Sequence, residues 1–172
     1  MAPPWWSRPD SMVPALVLLA APLIASPAGA PSLCAGRGSA VLVLTVPHEL
    51  HLCLNGLVVK SFPVELGRGG VGKTRQGDEK VPLGTYPLGP GRPSTYFHTF
   101  IPVGYPTTAQ RRAGYTGGAI GIHGPLQIPP GTDLARPTGD WTLGCIALPS
   151  EAAVDEVARW IRTRSGTRIV IE

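Results

Sequence analysis

The hydrophobic pattern of this chain changes to that of short strands at residue 40. Residues 40–46 form a continuous apolar run, which predicts a buried strand. Residues 50–54 alternate leucine with His51 and Cys53, which predicts a strand with one buried and one exposed face. Asn55-Gly56 then predicts a two-residue hairpin turn, followed by a return strand.

Shorter apolar runs predict four more strands, at residues 85–88, 96–103, 119–122 and 167–171. Polar residues rich in Gly and Pro predict a turn and two loops between them, at residues 89–93, 105–118 and 125–139. Apolar residues recur at helical spacing only near the C-terminus, at Val154, Val157, Ala158 and Ile161. Ser150 is a suitable N-cap for that helix, and Gly166 is expected to end it. The pattern therefore predicts a mainly β fold with one short helix.

The first 30 residues have the composition of an export signal. The apolar residues 12–25 are too few to span a bilayer, and Ala28-Gly29-Ala30 offers a small-x-small cleavage site. We therefore divide the chain into a signal peptide (residues 1–30), a short linker (31–39) and one domain (40–172), located in the periplasm or cell wall. An uncleaved anchor remains an alternative.

Length and composition favour a single domain with many turns. The chain has 172 residues, including 22 Gly and 20 Pro, and only 15% are charged. Its net charge of +4 is spread along the sequence, without a dense basic run or a nucleic-acid-binding motif. We therefore expect no nucleic-acid partner.

Residues Gly67–Thr74 fit the phosphate-binding loop pattern and follow a predicted strand. That loop requires a helix directly after it, whose N-terminal N–H groups hold the phosphates. Gly77, Pro82 and Gly84 follow instead, so a helix cannot continue there. We expect no nucleotide to bind.

Cys145 and His123 are the candidate catalytic residues. Cys145 follows Gly144, which allows a close backbone approach to a substrate, and His123 ends an apolar strand beside Gly124. A cysteine paired with a histidine from another segment is the minimal arrangement for thiol catalysis. Cysteine is also common as an inert core residue, so the motif alone leaves both roles open.

These segments resemble the catalytic domain of the L,D-transpeptidases, the YkuD-like family. The resemblance rests on Ile-His-Gly at 122–124 and Thr-x-Gly-Cys-Ile-Ala at 142–147, and it extends from about residue 40 to 172. The second motif is that of the murein-transpeptidase-like branch. The resemblance implies a mixed β-sheet sandwich with a short helix after the cysteine, and no cofactor. It also implies acyl transfer on peptidoglycan tetrapeptide stems, with another stem or a wall-attached protein as acceptor.

The resemblance also assigns roles around the two catalytic residues. Cys145 is the nucleophile, and His123 stabilises its thiolate or takes its proton. The backbone N–H groups of Gly144 and Cys145 are expected to bind the oxyanion. Gly124 is expected to orient the imidazole through its carbonyl, and the Thr142 hydroxyl to support the loop.

Two positions depart from the main branch of the family. Leu143 stands where that branch has a second histidine, and Ala147 stands where it has arginine. The loss of these groups leaves transpeptidase and hydrolase, whether carboxypeptidase or amidase, both open. A non-catalytic wall-binding domain is the alternative from another class.

The remaining candidate residues receive weaker assignments. His98 is a second candidate base, and the loop residues Arg111 and Arg112 could bind a stem-peptide carboxylate. His48 and His51 are not spaced as ligands, and we expect no metal site. In an exported protein Cys34 and Cys53 could form a disulfide, which would leave Cys145 as the free thiol.

Overall fold

The computed structural model describes residues 32–172, and the predicted signal segment 1–30 lies outside that part of the chain. The elements, in chain order, are β1 (Ala40–Leu44), β2 (Glu49–Leu54), β3 (Leu57–Pro63), β4 (Gly84–Pro87), β5 (Arg92–Ser94), β6 (His98–Pro102), α1 (Thr108–Arg112), β7 (Gly121–His123), β8 (Ile146–Ala147), α2 (Glu151–Arg162) and β9 (Arg168–Ile171). The mainly β prediction with a helix after the cysteine is confirmed. Within residues 32–172, no helix has the length and apolarity needed to cross a bilayer.

Five strands form the first sheet, in the order β3-β2-β1-β9-β4. The predicted hairpin at Asn55-Gly56 is confirmed, since both residues have positive φ (51° and 81°) between the antiparallel strands β2 and β3. β9 returns to lie parallel to β1. The chain end therefore completes the sheet that the first strands begin.

The prediction that β2 exposes one face is wrong. His51 and Cys53 are 3% and 0% exposed, although they point away from the face that carries the leucines. Residues before β1 cover this second face, because Cys34 is bonded to Cys53 and packs in a small cluster with Ala40 and Leu42. A covering segment of this kind leaves no trace in the periodicity of the strand itself.

Four short strands form the second sheet, in the order β5-β6-β7-β8. β7 and β8 are parallel, with His123 opposite Ala147, whereas β6 runs antiparallel to β7 with Phe100 opposite His123. One main core contains apolar side chains from both sheets and from α2. The segments that carry His123 and Cys145 are thus anchored against this core.

The helix after the cysteine begins as predicted. The Ser150 hydroxyl accepts a hydrogen bond from Ala153 N at 3.2 Å, and Val154, Val157 and Ile161 are buried. However, the helix ends at Arg162, four residues before Gly166, with Thr163 as its C-cap. Gly166 has φ +71° and forms the turn that leads into β9.

Two elements lie where loops or turns were predicted. Thr107 and Gln110 form a reciprocal capping box that starts α1 within the predicted loop 105–118. β5 lies partly within the predicted turn 89–93, because pairing with β6 holds Arg92–Ser94 extended. β5 depends on pairing with a distant strand, whereas the capping box that starts α1 is a local sequence pattern.

The segment that fits the phosphate-binding loop pattern is irregular and leads to no helix. Gly67 forms a bridge with Thr142, and Val71 forms one with Val81. The Lys73 side chain is buried and its ammonium contacts Asp78 Oδ1 at 2.7 Å. The segment therefore packs beside the cysteine loop.

Candidate active site

The structure brings Cys145 and His123 to one cavity of about 800 Å³. In the parallel pair β7–β8, Ile122 lies opposite Ile146. Cys145, which directly precedes Ile146, therefore lies beside Gly121, which directly precedes Ile122. His123 is two residues beyond Gly121 and therefore points to the same face of the sheet as Cys145. Adjacent strands thus place the two residues as diagonal neighbours on one face of the sheet, and within residues 32–172 the thiol is hydrogen-bonded to Ala119 O and not to the imidazole.

The cavity is mostly apolar. Aromatic and aliphatic side chains form much of its lining, including Phe97, Phe100, Ile120, Leu126 and Trp141. Leu143 stands at its opening and is 65% exposed. Within residues 32–172, Arg92 is the only lysine, arginine or acidic residue that lines the cavity.

The imidazole of His123 is held in one orientation. Its Nδ1 lies 2.7 Å from Gly124 O, and because a carbonyl only accepts, Nδ1 carries the proton. The ring stacks on Phe97, with centroids 4.1 Å apart, and meets the Trp141 ring edge-on at 5.5 Å. Burial lowers the pKa of His123 below its ordinary value and outweighs the hydrogen bond to Gly124, which acts to raise the pKa. The neutral ring therefore keeps Nε2 as an acceptor.

The Cys145 thiol is partly exposed and donates a hydrogen bond to Ala119 O at 3.5 Å. Burial raises its pKa, whereas a backbone hydrogen bond with Gly121 and the positive charge of Lys73 act in the opposite direction. A raised thiol pKa and a lowered imidazole pKa both favour the neutral pair at rest. Ala119 itself has φ +54°, a left-handed conformation that is unfavourable for alanine.

Glycine at position 144 is required by the backbone. Gly144 has φ +117°, and a Cβ there would lie 2.5 Å from Lys80 O. The Thr142 hydroxyl donates to Cys145 O at 2.7 Å and accepts from Gly144 N at 3.2 Å. The Gly144 N–H is therefore engaged at rest, whereas the Cys145 N–H meets no acceptor within residues 32–172.

Further side-chain hydrogen bonds hold the cysteine loop in place. Asp140 Oδ1 accepts from Leu66 N at 2.7 Å, and Asp140 Oδ2 lies 3.0 Å from His48 Nε2. The Trp141 indole donates to the Glu65 carboxylate. Sequence reasoning missed Asp140, Trp141 and Glu65, because single polar or aromatic residues outside a motif carry no signal of their partners.

The other candidates lie away from the thiol. His98 Nε2 contacts Asp155 Oδ2 at 2.9 Å, and His98 does not line the cavity. Arg111 donates to Pro106 O from α1, and neither it nor Arg112 lines the cavity, so the structure does not place them as carboxylate ligands there. Arg92, which was assigned to a turn, is the arginine that the structure brings to the cavity. In the described part of the chain, His, Cys, Asp and Glu side chains form no group of three that could hold a metal ion.

Comparison with known proteins identifies the family of the chain. The profile of the L,D-transpeptidase catalytic domain (YkuD) matches residues 39–171. No sequence among the curated proteins matches the chain.

Among solved structures, the helical cell shape determining protein Pgp2 from Campylobacter jejuni is 25% identical, with a TM-score of 0.64 over 78% of this chain and 47% of its own length. Bd1075 from Bdellovibrio bacteriovorus is 22% identical, with a TM-score of 0.53 over 78% and 47%. An L,D-transpeptidase from Mycobacterium smegmatis is 14% identical, with a TM-score of 0.51 over 78% and 58%. The chain thus spans about half the length of these proteins. Because the profile covers most of its residues, the chain belongs to the L,D-transpeptidase catalytic domain (YkuD) family.

Proposed function

We propose that this protein is a cysteine-dependent acyltransferase that acts on the tetrapeptide stems of peptidoglycan, as an L,D-transpeptidase. The observation that carries the proposal is the placement of Cys145 and His123 on one face of β7–β8, lining a cavity large enough for a peptide. Membership of the family supports the choice of substrate.

His123 acts as a general base in this proposal. The resting pair is neutral, because burial raises the pKa of Cys145 and lowers that of His123. The hydrogen bond from Nδ1 to Gly124 O leaves Nε2 to take the thiol proton as the sulfur attacks the carbonyl carbon. The same proton then goes to the leaving amine, and the acyl group remains on Cys145 as a thioester.

The backbone of the cysteine loop stabilises the oxyanion. The Cys145 N–H is the leading donor, because no acceptor within residues 32–172 competes for it. The Gly144 N–H can join it only by leaving the Thr142 hydroxyl, which it contacts at 3.2 Å. A donor of this kind contributes about 3 kcal/mol to transition-state stabilisation.

The acceptor completes the reaction. An amine from a second stem, or from a wall-attached protein, attacks the thioester, takes the acyl group and restores the thiol. This substrate requires export to the periplasm or cell wall, which the predicted signal at residues 1–30 would provide. No cofactor, metal or nucleotide takes part.

Incubation of the purified protein with stem tetrapeptides, followed by mass spectrometry, tests the proposal. Crosslinked dimers are expected from the wild type, and none from Cys145→Ala. His123→Gln should reduce the rate at least a hundredfold, since general bases contribute about 10²–10⁴-fold. His98→Gln is the matched control, because His98 lies outside the cavity. Undiminished turnover by Cys145→Ala would refute the assignment.

Hydrolysis at the same site is the second candidate function. The Cys145 thiol is partly exposed in a wide cavity, so water has access to a thioester formed there. Shortened monomers in the same assay, without dimers, would indicate a carboxypeptidase or amidase.

A non-catalytic wall-binding domain is tested by alkylation of Cys145 with iodoacetamide. His123→Gln should slow the alkylation if the imidazole assists the thiol. Equal rates in the wild type and His123→Gln, together with no turnover of the tetrapeptide, would favour the non-catalytic alternative.

A further inference from the structure

The charged end of the catalytic cavity lies on β5, the edge strand of the second sheet. Residues directly opposite each other on neighbouring strands point to the same face, and Arg92 lies opposite Phe100, which lies opposite His123. The Arg92 guanidinium lies 5.6 Å from the centroid of the Phe100 ring. That ring lies within 10° of parallel to the imidazole, with centroids 6.4 Å apart. The guanidinium therefore lies on the face of the sheet that carries the proposed base.

A hydroxyl group lies on the same strand and the same face. Ser94 follows Arg92 by two residues in β5, so both side chains point to the catalytic face, and both residues line the cavity. Thr99, one residue before Phe100, points to the opposite face, where its hydroxyl contacts Asp155 at 2.8 Å. Within residues 32–172, no carboxylate lines the catalytic cavity. The charge of Arg92 is therefore not neutralised there.

The donors of Arg92 and Ser94 are free. Within the described part of the chain, Arg92 makes no ion pair, and neither side chain makes a hydrogen bond. By contrast, Arg37 and Arg68 are paired with carboxylates. The contact with the Phe100 ring attracts the guanidinium but cancels none of its charge. This end of an otherwise apolar cavity can therefore accept an anion.

We propose that Arg92 and Ser94 form a carboxylate-binding subsite inside the catalytic cavity, which positions the acyl-donor peptide through an internal carboxylate. The inference rests on the proposed function and specifies how that site holds its substrate. A planar guanidinium group binds a carboxylate through two parallel hydrogen bonds, and a serine hydroxyl can donate a third. Burial of a carboxylate in this cavity requires such a partner, because the remaining lining is mostly apolar.

The distance from the base indicates which carboxylate is held. β6 separates β5 from β7, so the two strands are about 10 Å apart. The two ring contacts place the guanidinium at most about 12 Å from the imidazole, a length that three or four residues of extended peptide span. The terminal carboxylate is only one residue from the bond that is cleaved, and one residue spans at most about 3.6 Å. The subsite is therefore too far away for the terminal carboxylate and suits an internal one.

The test compares three forms of one stem tetrapeptide: the free acid, a form amidated only at the terminal carboxylate and a form amidated only at the internal carboxylates. Calorimetry on the Cys145→Ala protein at low salt measures binding without turnover. We expect internal amidation to weaken binding about fivefold, the effect of one exposed charge pair, and terminal amidation to weaken it less than about twofold. Added Arg92→Gln should abolish the effect of internal amidation, and added Ser94→Ala should reduce it.

Arg159→Gln is the matched control, because Arg159 lines a separate pocket with Thr99 and Asp155 on the other side of the sheet. This variant should keep the full effect of internal amidation. The subsite is refuted if internal amidation leaves binding unchanged, if terminal amidation weakens binding more, or if the effect persists in Arg92→Gln. The proposed function fails separately: a wild type that shows the effect but turns over no peptide retains the subsite and loses the enzyme activity. Turnover without the effect has the opposite meaning.

Discussion

Replacement of Thr142 by valine tests whether the cysteine loop depends on one hydroxyl group. Thr142 is 2% exposed, and its hydroxyl both donates to Cys145 O and accepts from Gly144 N. Valine keeps the shape of the side chain but provides neither hydrogen bond. The buried Gly144 N–H and the partly buried Cys145 carbonyl would then both lack a partner, since neither has another one within residues 32–172.

The expected cost follows from these two orphaned groups. An unsatisfied buried donor or acceptor costs about 1–3 kcal/mol, and the partly buried Cys145 carbonyl costs about 1 kcal/mol, so Thr142→Val should lower the free energy of unfolding by about 2–4 kcal/mol. For a urea dependence of about 2 kcal/mol per molar, the midpoint of unfolding should fall by about 1–2 M. Urea titration followed by tryptophan fluorescence measures the shift.

Thr132→Val is the matched control for this prediction. The Thr132 hydroxyl also donates to a carbonyl, that of Pro129 at 2.9 Å, but it does so in an exposed loop where water can replace it. We expect this variant to change stability by no more than about 0.5 kcal/mol. If Thr142→Val and Thr132→Val unfold at the same urea concentration, the loop does not depend on the Thr142 hydroxyl.

Three further predictions address the fold and the site. Reduction of the Cys34–Cys53 disulfide, whose cysteines are 19 residues apart, should lower the free energy of unfolding by about 3 kcal/mol, and unchanged thermal unfolding in reductant would contradict this. Gly144→Ala should destabilise the protein and slow Cys145 alkylation, because of the positive φ and the nearby carbonyl; wild-type behaviour in both assays would count against the required glycine. Burial raises the pKa of Asp78, but hydrogen bonds from Lys73 and from three backbone N–H groups outweigh it and hold the pKa well below the usual range. Asp78 therefore stabilises the fold above its unfolded pKa of about 4, and this stabilisation declines as the pH falls below that value. Asp78→Asn should lose stability at pH 7 and show a weaker acid dependence in urea titrations; an unchanged pH profile would refute this.

The elements that the sequence predicted are those specified by neighbouring residues. The Asn55-Gly56 turn depends on two residues that accept positive φ, and the N-cap at Ser150 depends on one hydroxyl and the next turn of helix. Such signals lie within a few positions of one another. The capping box of α1 is equally local, since Thr107 and Gln110 are three residues apart, although a loop was predicted there.

The features that the sequence left undetermined depend on contacts between distant segments. β2 is buried on both faces because residues before β1 are bonded to it through a disulfide. β5 is a strand because β6 lies beside it. Neither the covering segment nor the paired strand leaves a periodic pattern in the element that it stabilises.

For the site, the sequence by itself indicated which residues are the candidates for thiol chemistry. Cys145 after Gly144 and His123 before Gly124 are local motifs, and the family that they indicate is the family of the chain. Only the tertiary structure decided what else surrounds them: the Phe97 ring stacked on the imidazole, the Asp140 carboxylate on Leu66 N, and Arg92 at the cavity. The physical reason is that side-chain chemistry is a property of each residue, whereas pKa values, hydrogen-bond partners and charge in a cavity depend on which strands the fold places side by side.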